Sequence, residues 1–142
     1  MPDIVIVSDA ASVRDEVRSA VTDPDTTVRE ISTGKQLLPA VQEQVPDLAV
    51  VDLQIGNMGG MAACLDLRLE EGADRLPHVP VLMLLDRRPD VFLARRSQAD
   101  GWLVKPLDPL RVRKAMQALL AGGTYHDETH LPPTIPVASP AP

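Results

Sequence analysis

Residues 46–53 read Pro46-Asp47-Leu48-Ala49-Val50-Val51-Asp52-Leu53, and their pattern decides the fold class. A Pro-Asp turn pair leads into four apolar residues without alternation, and the run ends on an acid. Such an uninterrupted run suits a strand buried on both faces, as parallel strands are. Toward the N-terminus, Leu38, Val41 and Val45 stand at i, i+3 and i+7, a helix that begins or kinks near Pro39. Before it, Thr26 to Ile31 is a strand candidate. Val13, Val17 and Ala20/Val21 repeat at helical spacing until Asp23-Pro24-Asp25 stops them, and Ile4-Val5-Ile6-Val7 is a second doubly buried run.

Toward the C-terminus, Gly56, Gly59 and Gly60 make a loop, followed by a helix expected to carry Ala62, Leu65 and Leu69 on one face. Pro77 and Pro80 bracket entry to the strand Val81-Leu82-Met83-Leu84-Leu85. A short helix over about 89–97 precedes the strand Trp102-Leu103-Val104. Val112, Ala115, Met116, Leu119 and Leu120 then give the clearest amphipathic helix in the chain. Strand and helix alternate five times with short connections. That order predicts an α/β domain with a doubly wound parallel sheet, right-handed crossovers and helices on both faces. Residues 1–121 are expected to fold as this domain. Residues 122–142 are expected to form a proline-rich mobile tail, since 132–142 hold five prolines and no charge. His126 and His130 lie four apart where no helix is expected, so they are taken as a chance polar pair rather than a metal site.

The 142 residues suffice for one substantial core. With Phe92, Trp102 and Tyr125 the only aromatics, that core must be aliphatic. Cys64 is the single cysteine, which excludes an internal disulfide and a cysteine-based zinc cluster and fits a reducing, cytoplasmic setting. On the third helix it reads as ordinary packing. No apolar stretch approaches the roughly 20 residues of a membrane span, and no signal-like N-terminus is visible. The net charge of −6 argues against nucleic-acid binding, but it is unevenly spread: residues 1–86 balance at −9 and residues 87–114 at +5. An acidic cation-holding site and a basic partner-facing surface are both expected.

Ligands of doubly wound sheets bind beyond the carboxyl ends of the strands. The strands here close on Ser8-Asp9, on Asp52, on Leu85-Asp86 and on Lys105-Pro106. Asp9, Asp52 and Lys105 therefore converge on one edge. Two carboxylates offer hard oxygen ligands to Mg²⁺, which keeps waters for a phosphate. One carboxylate can attack a phosphoryl group while the lysine neutralises the transferred oxygens.

These stretches resemble the receiver domains of bacterial two-component response regulators, over roughly residues 3–121. The carriers are Ile4-Val5-Ile6-Val7-Ser8-Asp9 with Val13-Arg14, Pro46 to Leu53, Gly59-Gly60, Pro80-Val81-Leu82-Met83, and Ala99-Asp100-Gly101-Trp102-Leu103-Val104-Lys105-Pro106-Leu107. The resemblance implies a flavodoxin-like three-layer fold and phosphorelay signalling rather than enzymatic turnover. It implies that Asp52 accepts a phosphoryl group from a sensor histidine kinase or phosphotransfer protein. Asp9, Asp52 and the Gln54 carbonyl would hold Mg²⁺, Lys105 would contact the phosphoryl group, and the Lys105-Pro106 bond would be cis. It also implies that the fourth helix, fifth strand and fifth helix mediate docking or homodimerisation. Arg95, Arg96, Arg111, Arg113 and Lys114 are the basic candidates there.

Three positions depart from the family pattern. Ser8 replaces the first of two adjacent acids, which implies Mg²⁺ binding about 10- to 100-fold weaker, with Ser8 bonding a metal-bound water instead. Leu85 replaces the hydroxyl residue that bonds the phosphoryl group, which removes the usual switch and leaves the partner switch position, Trp102, as a packed side chain. Asp86 beside it is expected to repel a phosphoryl group, and Arg87 is a possible compensating contact. The third departure is the loop Gly56-Asn57-Met58-Gly59-Gly60, which lacks the usual proline and is expected to be looser.

With 21 residues after Ala121, a stand-alone receiver is expected, muted in its phosphorylation. Its rivals are a pseudo-receiver that binds partners without phosphorylation, and more distantly an enzyme on a similar sheet. A flavin binder would need glycines after the first strand, where Ser8 to Val13 has none. An aspartate-nucleophile phosphatase would need an acid at Gln54.

Overall fold

The computed structural model describes residues 2–56 and 58–127. Eleven principal elements follow in order: β1 (Asp3–Val7), α1 (Ala11–Val21), β2 (Thr27–Ile31), α2 (Leu37–Glu43), β3 (Leu48–Asp52), α3 (Gly60–Gly72), β4 (Val81–Leu85), α4 (Val91–Arg96), β5 (Gly101–Val104), α5 (Pro109–Leu120) and β6 (Tyr125–His126). The strands are parallel and lie in the order β2-β1-β3-β4-β5-β6. Every residue of β1, β3 and β4 is buried, as their continuous apolar runs require.

The period of two divides the sheet's side chains between two cores. Val5, Val7, Ala49, Val51, Val81, Met83 and Leu85 pack with Leu37, Val41, Ala63, Cys64, Leu67 and Ala94 from α2, α3 and α4. Ile4, Ile6, Leu48, Val50, Leu82, Leu84 and Leu103 pack with α1 and α5 through Val13, Val17, Val112, Ala115 and Leu119. The result is a three-layer sandwich, helices on sheet on helices. Asp108 caps α5, its carboxylate accepting the Leu110 N–H at 2.9 Å, with Pro109 as the first helical residue.

Three expectations need correction. On α3 the buried residues are Gly60, Ala63, Cys64 and Leu67, while Ala62 is exposed, Leu65 only half-buried and Leu69 69% exposed. The true face is made of small residues that let the helix sit close to the sheet, and small residues carry little hydropathy signal. At Gly60 the approach is closest: an added Cβ would run into the Asp52 carbonyl oxygen. On α2, Leu37 rather than Leu38 is fully buried, and Val45 lies beyond the helix end and is exposed.

The third correction concerns the tail expected from residue 122. Gly122, at φ 88°, turns the chain after α5, and Tyr125–His126 then pair with Gly101 and Trp102 as a sixth strand. Gly101 admits this neighbour because a Cβ there would lie 2.7 Å from the Tyr125 carbonyl oxygen. Asp127 is buried, and its carboxylate accepts the Val104 N–H at 2.9 Å and the Arg111 guanidinium at 2.7 Å. His126 stacks on Trp102 with ring centroids 4.2 Å apart. The rest of the expected tail, His130 included, lies outside the described residues.

Candidate functional site

Parallel strands bring the ends of β1, β3, β4 and β5 to one edge, and the strand order reverses between β1 and β3. Asp52 closes β3 in this crevice, 2% exposed. A carboxylate so buried must be paired, and both its oxygens are. Lys105 Nζ donates to Oδ1 at 3.0 Å, and the Ser8 hydroxyl donates to Oδ2 at 2.8 Å. Ser8 is itself buried, and its oxygen accepts the Ala10 N–H at 3.1 Å, which directs the hydroxyl proton to Asp52. The serine thus bonds the carboxylate directly.

Lys105 Nζ also donates to Asp86 Oδ1 at 2.9 Å, so one ammonium bridges two carboxylates. Partial burial works against its charge, but the hydrogen bonds to Asp86 and Asp52 outweigh that and raise its pKa above the ordinary lysine value. The backbone N–H of Lys105 donates to the Leu85 carbonyl at 2.8 Å, and the Lys105-Pro106 bond is cis. Asp9 is exposed, and its Oδ2 accepts the Gly56 N–H at 3.1 Å, tying the end of β1 to the loop after β3. Gln54 is exposed in that loop. Counting Asp9, Asp52 and Asp86 against Lys105, the four side chains balance at −2.

Leu85 is fully buried with Met83, Ala94 and Trp102 and brings no polar side-chain atom to the crevice. Trp102 is 3% exposed, and its Nε1 is buried without a hydrogen-bond partner among the described residues. Arg87 does not turn to the crevice: its guanidinium meets Asp90 at 3.3 Å, within the turn that leads into α4. The basic candidates divide. Arg111 is held by Asp127, and the exposed Arg113 donates to the Ala20 carbonyl at 2.9 Å. Arg95 lies over the Trp102 ring at 5.2 Å, Arg96 lies over Phe92 at 5.4 Å, and Lys114 is exposed.

Asp86, expected as a repelling neighbour of a phosphoryl group, is also the second partner of Lys105. The Asp86 position beside Lys105 follows from the β4–β5 pairing, which no residue pattern announces. His126 and Asp127 escaped notice as contributors because they follow two glycines in a stretch without periodicity.

The chain and its fold have counterparts among known proteins. The model of the response regulator receiver domain family matches residues 4–117. The DNA-binding response regulator MtrA of Mycobacterium tuberculosis is 32% identical over 119 residues, 82% of this chain and 50% of that protein. The nitrate/nitrite response regulator NarL of Escherichia coli is 29% identical over 131 residues, covering 91% of this chain and 59% of that protein. Among solved structures, the chemotaxis response regulator CheY4 of Vibrio cholerae superposes with a TM-score of 0.74 at 26% identity, over 84% of this chain and 98% of that one. The chain belongs to the response regulator receiver domain family. It is a receiver of two-component signalling, and it spans about half the length of the curated relatives it matches.

Receiver domains generally bind Mg²⁺ for phosphorylation. The donors at this edge fit such an ion in kind, being carboxylate and carbonyl oxygens with an excess of negative charge. They are fewer than a protein-only cage needs: among the described residues no group of three or more His, Cys, Asp or Glu side chains is arranged to hold a metal. Mg²⁺ is generally held by one or two carboxylates and keeps several of its waters. No helix among the described residues is long and apolar enough to cross a membrane.

Proposed function

We propose that Asp52 accepts a phosphoryl group from a sensor histidine kinase or phosphotransfer protein, in an atypical pocket where Ser8 and Leu85 stand for an acid and a hydroxyl residue. The observation that carries this reading is the buried Asp52 carboxylate within 3.0 Å of Lys105 Nζ at the end of β3. An Asp52 oxygen attacks phosphorus, an O–P bond forms as the donor's N–P bond breaks, and the electron pair returns to the imidazole. Lys105 stays protonated and neutralises the transferred oxygens. Asp9, Asp52 and the Gln54 carbonyl are the residues that would hold Mg²⁺, which supplies further charge neutralisation there. The protein acts as a cytoplasmic signalling switch rather than an enzyme. Its exposed basic side chains on α4 and α5 (Arg95, Arg96, Arg113 and Lys114) offer a face to a second copy or another protein, and its acidic balance disfavours nucleic acid.

Incubation with Mg²⁺ and acetyl phosphate, followed by intact mass measurement, tests the reading. One phosphoryl increment is expected in the wild type and none in Asp52→Ala. An increment that persists in Asp52→Ala refutes the assignment. A second reading, a pseudo-receiver that binds partners without phosphorylation, draws on the buried Leu85 and on the two hydrogen bonds that already occupy Asp52. It predicts no increment in either protein.

A further inference from the structure

Lys105 serves two carboxylates at nearly equal distance, Asp52 at 3.0 Å and Asp86 at 2.9 Å. The two differ in setting. Asp52 is buried at the end of β3, whereas the Asp86 side chain is 38% exposed on the first residue after β4. Leu85, next to it, is sealed in the core, so the side chain of this segment that reaches the crevice is Asp86. Arg87 follows directly, and with Asp90, three residues beyond it, closes the turn that starts α4. Ion pairs thus run from Asp52 through Lys105 to Asp86, which adjoins the segment before α4 in the chain.

We propose that Asp86 is a positioning residue that competes for Lys105, restrains phosphorylation of Asp52 and passes its occurrence to α4 by letting go of the lysine. The inference rests on Asp52 being the acceptor. An incoming phosphoryl donor meets Asp86 as a like charge at the mouth of the crevice, and Lys105, shared between two anions, neutralises each less than it would one. Once the phosphoryl group is on Asp52, its oxygens carry more charge than the Asp86 carboxylate and draw the ammonium to themselves. Asp86 then loses its partner, and repulsion moves the start of the β4–α4 segment outward. An exchange of ion pairs does here what a side-chain hydroxyl at position 85 cannot.

The test uses acetyl phosphate with Mg²⁺, in which the Asp52 oxygen bonds phosphorus and acetate leaves with the electron pair of the broken P–O bond. Initial rates of phosphoryl gain are compared by intact mass for wild type, Asp86→Asn and Asp86→Glu. Removing the charge at a partly exposed site should raise the rate about 2- to 5-fold at low salt, with the gap closing at about 1 M salt. Asp86→Glu should restore the slow rate. In amide spectra, phosphorylation should shift residues 86–91 in the wild type and much less in Asp86→Asn. Equal or lower rates in Asp86→Asn, or a gap indifferent to salt, overturn the inference while leaving Asp52 as acceptor. No phosphoryl gain in any of the three proteins overturns both.

Discussion

Two polar clusters sit at opposite ends of the same strands, and they are built on opposite principles. At the amino ends of β4 and β5, Arg68 of α3 pairs with Glu71 and with Asp100, and His78 pairs with the same two acids at 2.9 and 2.8 Å. With His78 charged, two bases alternate with two acids and the ring is neutral. Its spare capacity goes to backbone: Arg68 donates to the Val79 and Gln98 carbonyls, and the acids accept the Val79 and Val81 N–H groups. At the carboxyl ends, one lysine serves Asp52 and Asp86, while Asp9, the third carboxylate there, accepts the Gly56 N–H. The first cluster is complete within the chain, which marks it as part of the scaffold. The second is left short of positive charge, which favours the approach of a cation.

The largest consequence falls on the closed ring. The Arg68 side chain is 6% exposed, so Arg68→Ala takes the permanently charged partner from two carboxylates, one of them holding the start of β4, and leaves them to His78. Breaking a buried pair from one side costs about 3–5 kcal/mol. Denaturant unfolding should show a loss of that size, and a loss below about 1 kcal/mol would show the ring to be ornamental. At the open site the contrast reverses: Asp52→Asn keeps an oxygen for Lys105 while relieving repulsion among the acids, and should cost no more than about 1 kcal/mol. Equal losses for the two variants would erase the distinction.

A middle-sized effect sharpens what the open site lacks. Ser8 spends its hydroxyl on Asp52, where an acid would add to the negative charge. In Ser8→Asp, Mg²⁺ affinity measured by calorimetric titration should rise about 10-fold, since a further carboxylate strengthens the donor set by at least an outer contact. The metal-free variant should also be less stable than the wild type, because the new charge is buried without a partner. Unchanged affinity would mean that Ser8 does not face the ion's place, and that Asp9 and Asp52 carry the site alone.

How much of this was legible in the residues follows from what each feature depends on. The doubly buried strands were plain because Ile4 to Val7, Leu48 to Val51 and Val81 to Leu85 are continuous apolar runs, and parallel strand order then carries Asp52 and Lys105 to one edge. Asp86 was legible as a residue but not as a partner, since its bond to Lys105 depends on the pairing of β4 with β5. The ring at the other end was not legible at all. Arg68, Glu71, His78 and Asp100 lie on three segments, and an arginine on a helix reads as solvent-facing until the helix face is known. That face was misjudged because Gly60, Ala63 and Cys64 mark the core by smallness rather than by hydropathy. The sixth strand failed for a related reason: two residues are too few for periodicity, and the Gly101 that makes room for them lies far away in sequence.

The smallest expected effect tests whether the ring closes through its histidine. Burial works against charging His78, but hydrogen bonds to Glu71 and Asp100 outweigh it, against the opposing charge of Arg68, and its pKa stands above the ordinary value near 6.5. A base whose pKa is raised by folding stabilises the fold fully below its unfolded pKa, and that contribution is lost as pH rises through the folded value. Because the His78 side chain is 54% exposed, solvent screens the pair and the contribution is only about 0.5 kcal/mol. Stability measured from pH 6 to pH 8.5 should therefore fall slightly more in the wild type than in His78→Gln, which keeps hydrogen bonding but does not titrate. Parallel curves would show that Arg68 alone balances Glu71 and Asp100. The scaffold cluster would then carry an unpaired acid like the open site, and charge closure would no longer separate the two ends of the sheet.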